Sequence, residues 1–303
     1  MKTLERAKAP RRGLRSRRRR LIPYLFLLPN MAIFGLFTIF PALRGFWISF
    51  FDSTDGRHFK YVGTGNYKEI FSDQAVLNVA SNTARYVIGY VISSVVISIA
   101  IALMLNAQTW GKTIFRSVIF LPVLLSPVVI GLIWANLLDR KRGGINALLA
   151  IAGVGKVPWL IDSKYTMWAV IFVGLWTHVG FFTVILLAGL QGIDKNIYEA
   201  ASLDGAHGWN LVRTITLPLL KPTTLVVVIL ATIQGFQSFD FIYTLTGGGP
   251  VGATTLIVQY IYDSAFQTPI RYGLASAAAV ILFFIIFSIT ILNYLIGRSR
   301  DAL

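Results

Sequence analysis

Long apolar runs, separated by shorter stretches rich in glycine, proline and charge, dominate the chain. Spanning hydrocarbon takes about 20 predominantly apolar residues, because a helix rises ~1.5 Å per residue. Six runs are long enough, at about 22–50, 85–106, 116–138, 165–190, 222–245 and 272–297. The second, "YVIGYVISSVVISIAIALML", carries no charge. Prolines in the first (Pro23, Pro29, Pro41) and third (Pro122, Pro127) predict kinks, which neighbouring helices can accommodate. The expected fold is an all-α polytopic membrane protein of six transmembrane helices, with a helix-turn-helix between the fourth and fifth.

Composition agrees with this pattern. Of 303 residues, 55% are hydrophobic and 14% charged, and the mean hydropathy is +0.66. Soluble domains are nearer a quarter charged. The net charge is +15, and residues 1–20 hold ten cations against the single acid Glu5. An apolar run follows Arg20 at once, so this arm reads as a cytoplasmic topology determinant beside anionic lipid, not a nucleic-acid site. The run from Leu21 is longer than the roughly 7–15 apolar residues of a signal peptide and lacks a small-x-small cleavage site, so it is expected to stay. Alternation then places 107–115, 191–221 and the tail inside, with 51–84, 139–164 and 246–271 outside. Both termini are thereby cytoplasmic. Asp139-Arg140-Lys141-Arg142 is a local exception that the N-terminal arm outweighs.

Residues 191–221 are unlike the runs around them. Asp194 can cap a short helix. Asp204-Gly205 ends it with residues that tolerate left-handed turns. Trp209, Val212 and Ile215 give a second short helix an apolar face. Pro218 biases Leu217 away from helical angles, and Pro222 is expected to open the next span. The result is a polar knob too short to fold alone.

Here the sequence resembles the inner-membrane permease subunits of binding-protein-dependent ABC importers. Their E-A-A-x-x-x-G signature matches Glu199, Ala200, Ala201 and Gly205, and the match continues through Ala206 to Leu217-Pro218. The Asp204-Gly205-Ala206 form, with Ile215 to Pro218 downstream, resembles the carbohydrate (maltose/glycerol-3-phosphate-type) branch. So do "YVGTGNY" (61–67), "FRSVIFLPVLLSPVVIGLIW" (115–134), "GINALL" (144–149) and "FDFIYTLTGGGPVGATT" (239–255). The resemblance covers residues 21–298 and departs at Val212, where an aromatic is common.

The resemblance implies a bacterial or archaeal cytoplasmic membrane, a second homologous permease, two ATP-binding subunits and an extracytoplasmic solute-binding protein. It makes 191–221 the coupling loop, with Glu199, Ala200, Ala201, Asp204, Gly205, Ala206, Trp209 and Pro218 facing an ATPase. Glu199 would pair with a base there, Gly205 would supply the turn, and Asp204 would cap the second short helix. Gly247, Gly248, Gly249 and Pro250 would receive the binding protein. Residues 1–20 are then an N-terminal arm, 21–298 the permease domain and 299–303 a cytoplasmic tail.

Chemistry internal to the chain is sparse. "AIAGVGKV" (150–157) mimics the end of a P-loop, but Ala150 and Val157 replace the required Gly and Ser/Thr. His58, His178 and His207 are scattered, so no metal site and no catalytic centre are expected, and cysteine is absent. No cofactor is expected in this chain; ATP and magnesium would bind on partner subunits. Gln234, Gln237, Ser238 and Phe241 share one face of a fifth helix by spacing, with the two amides ~18 and ~22 Å from Pro222. Amides beside an aromatic suit a sugar, and they equally suit hydrogen bonds to a partner permease. Trp176, Gly180 and Thr183 offer a second wall. Asp240 is expected near the outer interface in a structural role. An importer for amino acids or phosphate, a membrane-bound enzyme, and a stand-alone channel or ion-coupled carrier are the rival readings. The enzyme lacks paired acids, and the channel leaves the knob unexplained.

Overall fold

The computed structural model describes Tyr24 and residues 26–107 and 111–299, so the basic arm, part of the loop after the second span and the tail beyond Ser299 lie outside the described residues. Among the described residues, five helices are long and apolar enough to cross a membrane. They are α1 (Phe26–Ile48), α3 (Gln74–Ala107), α7 (Ser163–Gln191), α9 (Gly208–Gln237) and α12 (Tyr272–Ser299, with its spanning part ending at Gly297). A helix pair, α4 (Lys112–Phe120) and α5 (Pro127–Leu137), makes a sixth span only if its two arms count as one.

That pair corrects the expected third span at 116–138. The arms bend by 100° rather than kinking. Pro122 sits in a 3-10 turn, Leu121–Leu124, while Leu125 (ψ 146°) and Ser126 (ψ 131°) are both extended. A residue before proline is driven from helical angles by the proline ring. Here Leu125, before Ser126, is extended as well, so the helix stops. Pro127 then starts α5 as its first residue.

The second span begins earlier than expected, because Asp73 accepts a hydrogen bond from the Ala75 N–H (2.8 Å) and extends α3 to Gln74. The fifth differs at both ends. Leu217 keeps helical angles (φ −64°, ψ −41°), and Pro222 lies inside the helix rather than opening it. The reason is a π-turn over Val212–Thr216, whose wider ring lets the Leu217 N–H reach the Val212 carbonyl before the Pro218 ring arrives. The same device precedes Pro41, where Gly35–Ile39 forms a π-turn and the Phe40 N–H reaches Gly35 O. At the far end α9 stops at Gln237, not near 245. Ser238 is extended (ψ 122°), and a separate short helix, α10 (Asp240–Thr246), comes next.

The core lies between α3, α7 and α9. One stripe of α3 is buried: Val79, Thr83, Tyr86, Tyr90, Ser94, Ser98 and Ala102. Small residues toward its end let the α7 backbone approach, and Ser98 donates to the Val179 carbonyl (3.2 Å). The half-helices α5 and α10 pack on each other. A Cβ on Gly131 would sit 1.9 Å from Thr244 Oγ1 and 2.6 Å from the Phe241 carbonyl. Only glycine permits that approach.

α1 stands largely apart, without a buried residue in its spanning window. A two-residue antiparallel ribbon (β1, Phe51–Asp52; β2, Lys60–Tyr61) joins it to α2 (Gly65–Ser72). Asn66 fixes the ribbon's start by donating to the carbonyls of Ser49 and Phe51 (both 2.9 Å). Glu69 on α2 pairs bidentately with Arg271, just ahead of α12. That pairing, with Arg271 the dominant cause, holds the Glu69 carboxyl below the ordinary carboxylate value.

Candidate functional site

The knob forms two helices around a tight turn. Asp194 caps α8 (Lys195–Leu203) by accepting from the Asn196 N–H (2.9 Å). The helix ends in a Schellman motif: the Ala206 N–H reaches the Ala201 carbonyl (2.9 Å) and the Gly205 N–H reaches that of Ser202 (3.1 Å). Gly205 occupies the left-handed position at φ +81°, which a side chain would strain. The second helix then runs from Gly208 directly into the fifth span, so it is the first turn of α9 and not a separate element. Asp204 does not cap it. Its N-cap is His207, which makes no side-chain cap bond.

The knob's exposed surface is chemically mixed. Leu203 is 89% exposed and Trp209 70%, and the neighbouring Glu199, Ala200, Asp204 and Gly205 are also exposed. Ala201 is buried, and Ala206 is partly so. Pro218 is exposed further along α9. Glu199 has no ion pair among the described residues. Exposed large apolar side chains are what an interface core is made of, and a carboxylate beside them suits its polar rim.

The second cluster lies where α9 breaks. Ser238 is buried; its hydroxyl donates to the Gln234 carbonyl (2.8 Å) and accepts from the Tyr86 hydroxyl (3.2 Å). Tyr90, stacked on Tyr86 with ring centroids 5.6 Å apart, donates to Gln234 Oε1 (3.4 Å). Gln234 is half-buried and Gln237 exposed. Phe241 is buried beyond the break, against Gly174 of α7. The four residues expected on one helix face are therefore not on one helix. A serine hydroxyl that bonds both its own helix and a neighbouring one competes with continuation of that helix.

The proposed wall on α7 is also packed. Thr183 is buried and donates to its own Val179 carbonyl (2.7 Å), and a Cβ on Gly180 would meet Ile119 O at 2.0 Å. His178 Nδ1 lies 3.1 Å from the Gly174 carbonyl, and its ring stands edge-on to Tyr90. Trp176 instead joins an aromatic group, 5.4 Å from Trp134, which lies 5.1 Å from Phe172. The Trp134 indole N–H is buried without a partner among the described residues. Sequence reasoning misses Tyr86, Tyr90 and Trp134. The pair Tyr86/Tyr90, four apart in an otherwise apolar span, is the available signal.

The glycine run caps α10. Gly247 (φ +59°) ends the helix, and Gly248 is buried in left-handed geometry (φ +87°). Gly249 and Pro250 continue the turn through a cis peptide. No helix or strand forms there, as the composition predicts. Asp240 is exposed and begins α10, its carbonyl accepting from Thr244.

With the geometry in place, the family can be read. Residues 94–301 match the family described as binding-protein-dependent transport system inner membrane component. The chain belongs to that family. This inner-membrane component is 34% identical over 278 residues to the trehalose/maltose transport system permease protein MalF of Thermococcus litoralis, covering 91% of this chain and 94% of that one. It is 30% identical to the lactose transport system permease protein LacF of Rhizobium radiobacter (91% and 94% covered). It is 28% identical to the sn-glycerol-3-phosphate transport system permease protein UgpA of Agrobacterium fabrum (93% and 96%). The fold matches a chain of a bacterial ABC transporter that imports the acidic polysaccharide alginate, with TM-score 0.83 over 94% of this component and 98% of that chain, at 23% identity. A second structure of the alginate transporter contains a periplasmic protein bound to an alginate pentasaccharide. The component is thus a multi-pass permease subunit of an ABC importer.

Proposed function

We propose that this permease forms half of the translocation pathway for a carbohydrate, by alternating access, in an importer with a second homologous permease, two ATP-binding subunits and an extracytoplasmic solute-binding protein. The substrates named for its relatives support the carbohydrate class. The observation that carries the coupling role is the knob. Leu203 and Trp209 stand exposed beside the unpaired Glu199, on a turn held by Gly205, in the segment that carries the family signature. A surface of this kind is completed by a partner, and ATP with magnesium would be held there, on the partner subunits. ATP-driven closure of those subunits would displace the knob, and differential contact with two states would shift the pathway between inward and outward openings.

This reading places both termini and the knob in the cytoplasm, with 246–271 outside. Gln234, Gln237 and the Trp134–Trp176 pair are the pathway candidates: their amides can bond hydroxyls, and their rings can stack on a pyranose. The deciding experiment is purification with and without Glu199→Ala. Wild type is expected to retain ATPase subunits that the variant loses. Equal retention together with unchanged uptake would remove the coupling role.

A further inference from the structure

Two cations on different helices share one groove. It lies between α3 and α7, has a volume of about 570 Å³, and is lined at its mouth by Arg85 and Lys164. Both side chains are exposed, and neither has an ion pair among the described residues. The Lys164 ammonium stands 5.7 Å from the ring centroid of Tyr165. Ser81 and Ser163 flank the cations, and their hydroxyls make no hydrogen bond among the described residues. Further along, the walls turn apolar, with Ile88 60% and Trp168 67% exposed. Gly89 closes the floor, since a Cβ there would meet Ile171 Cδ1 at 2.8 Å.

The depth of the groove follows from the charges. Residues 86–107 of α3 and 165–191 of α7 include no acid, lysine or arginine, over ~33 and ~40 Å of helix. Each run is enough to cross the ~30 Å hydrocarbon layer, so Arg85 and Lys164 both mark its edge. Trp168 falls where amphipathic rings gather at the interface. In the proposed orientation this is the outer edge, where the positive-inside bias disfavours paired cations. Long cations at helix ends ordinarily reach into water separately, whereas these two line one groove. Among the described residues no acid lines it. Asp162, beside Lys164 in sequence, caps α7 by accepting from the Lys164 N–H (2.9 Å) and makes no ion pair with either cation. A ligand that fits must carry negative charge at the mouth and hydrocarbon below. We infer that the groove holds a phospholipid of net negative charge, its phosphate between the Arg85 guanidinium and the Lys164 ammonium, and an acyl chain along Ile88, Ile171 and Trp168. The inference needs the membrane spans and not the coupling role of the knob.

The test is native mass spectrometry of the whole importer, released from micelles holding equal amounts of phosphatidylglycerol and phosphatidylcholine. Wild type should retain phosphatidylglycerol in preference, and Arg85→Gln with Lys164→Gln should retain one molecule fewer. Both side chains are exposed, so this variant is expected to assemble. Arg85→Lys with Lys164→Arg keeps the charge and should keep the lipid. Arg140→Gln with Lys141→Gln makes the same change of charge at another exposed site and should leave retention unchanged. Equal retention by wild type and the Arg85/Lys164 glutamine variant overturns the inference, as does wild type holding phosphatidylcholine equally well. Dissociation of the second permease from that variant also overturns it and assigns the groove to that subunit.

Discussion

The knob at 194–211 and the loop at 246–255 are both turns built on glycine, and they spend their hydrogen bonds differently. In the loop, Thr246, Thr254, Gln259 and Asn82 tie the backbone to itself and to α3. In the knob, the bonds stay within the helix ends, and the side chains of Glu199, Leu203 and Trp209 reach outward into solvent. The loop is finished within the chain, whereas the knob has a conformation but little packing of its own. Packing supplies most helical stability, so α8 depends on what seats against it.

The sharpest break of this contrast is at Gly205. Gly205→Leu forces a side chain into φ +81° and, with Glu199→Ala, should reduce uptake to background while the subunit inserts at wild-type levels, measured by transport and membrane immunoblot. Gly131→Leu comes next: it cannot avoid the Phe241 carbonyl and should cost about 3 kcal/mol or more, read as earlier thermal unfolding in detergent. Asp194→Ala removes the α8 cap and should cost about 1 kcal/mol, seen as faster amide exchange confined to 195–203. Tyr86→Phe should cost only ~0.6 kcal/mol, the average for an interhelical hydrogen bond, since Ser238 keeps its bond to Gln234 O.

The smallest effect concerns Glu69. Its carboxyl is lowered by Arg271, so the pair stabilises the fold above the ordinary carboxylate range, and that contribution disappears as pH falls through the lowered value. Glu69→Gln should flatten the acid side of the stability–pH profile and leave its alkaline side unchanged.

Legibility in the sequence tracks the range of the interactions. Asp194, Asp204-Gly205 and the glycine run act over a few residues, and their turns are readable as such. The breaks are not. Pro122 and Pro127 announce a disturbance, but whether a helix kinks or turns by 100° depends on what receives the freed groups. The end of α9 is hidden because Ser238 is ordinary in a helix until Tyr86, 152 residues away, binds its hydroxyl. Pro218 misleads for the opposite reason: local rules end a helix there, and a π-turn just ahead of it lets the helix continue.

That continuation has a mechanical consequence. Because the backbone is helical from Gly208 to Gln237, Trp209 and the Tyr90–Gln234 contact ride on one rod ~45 Å long. Tilting such a rod by about 5° sweeps its far tip by ~4 Å, more than the reach of a hydrogen bond. A modest push at the inner face could therefore unlatch the tyrosines without any residue between them changing its own conformation.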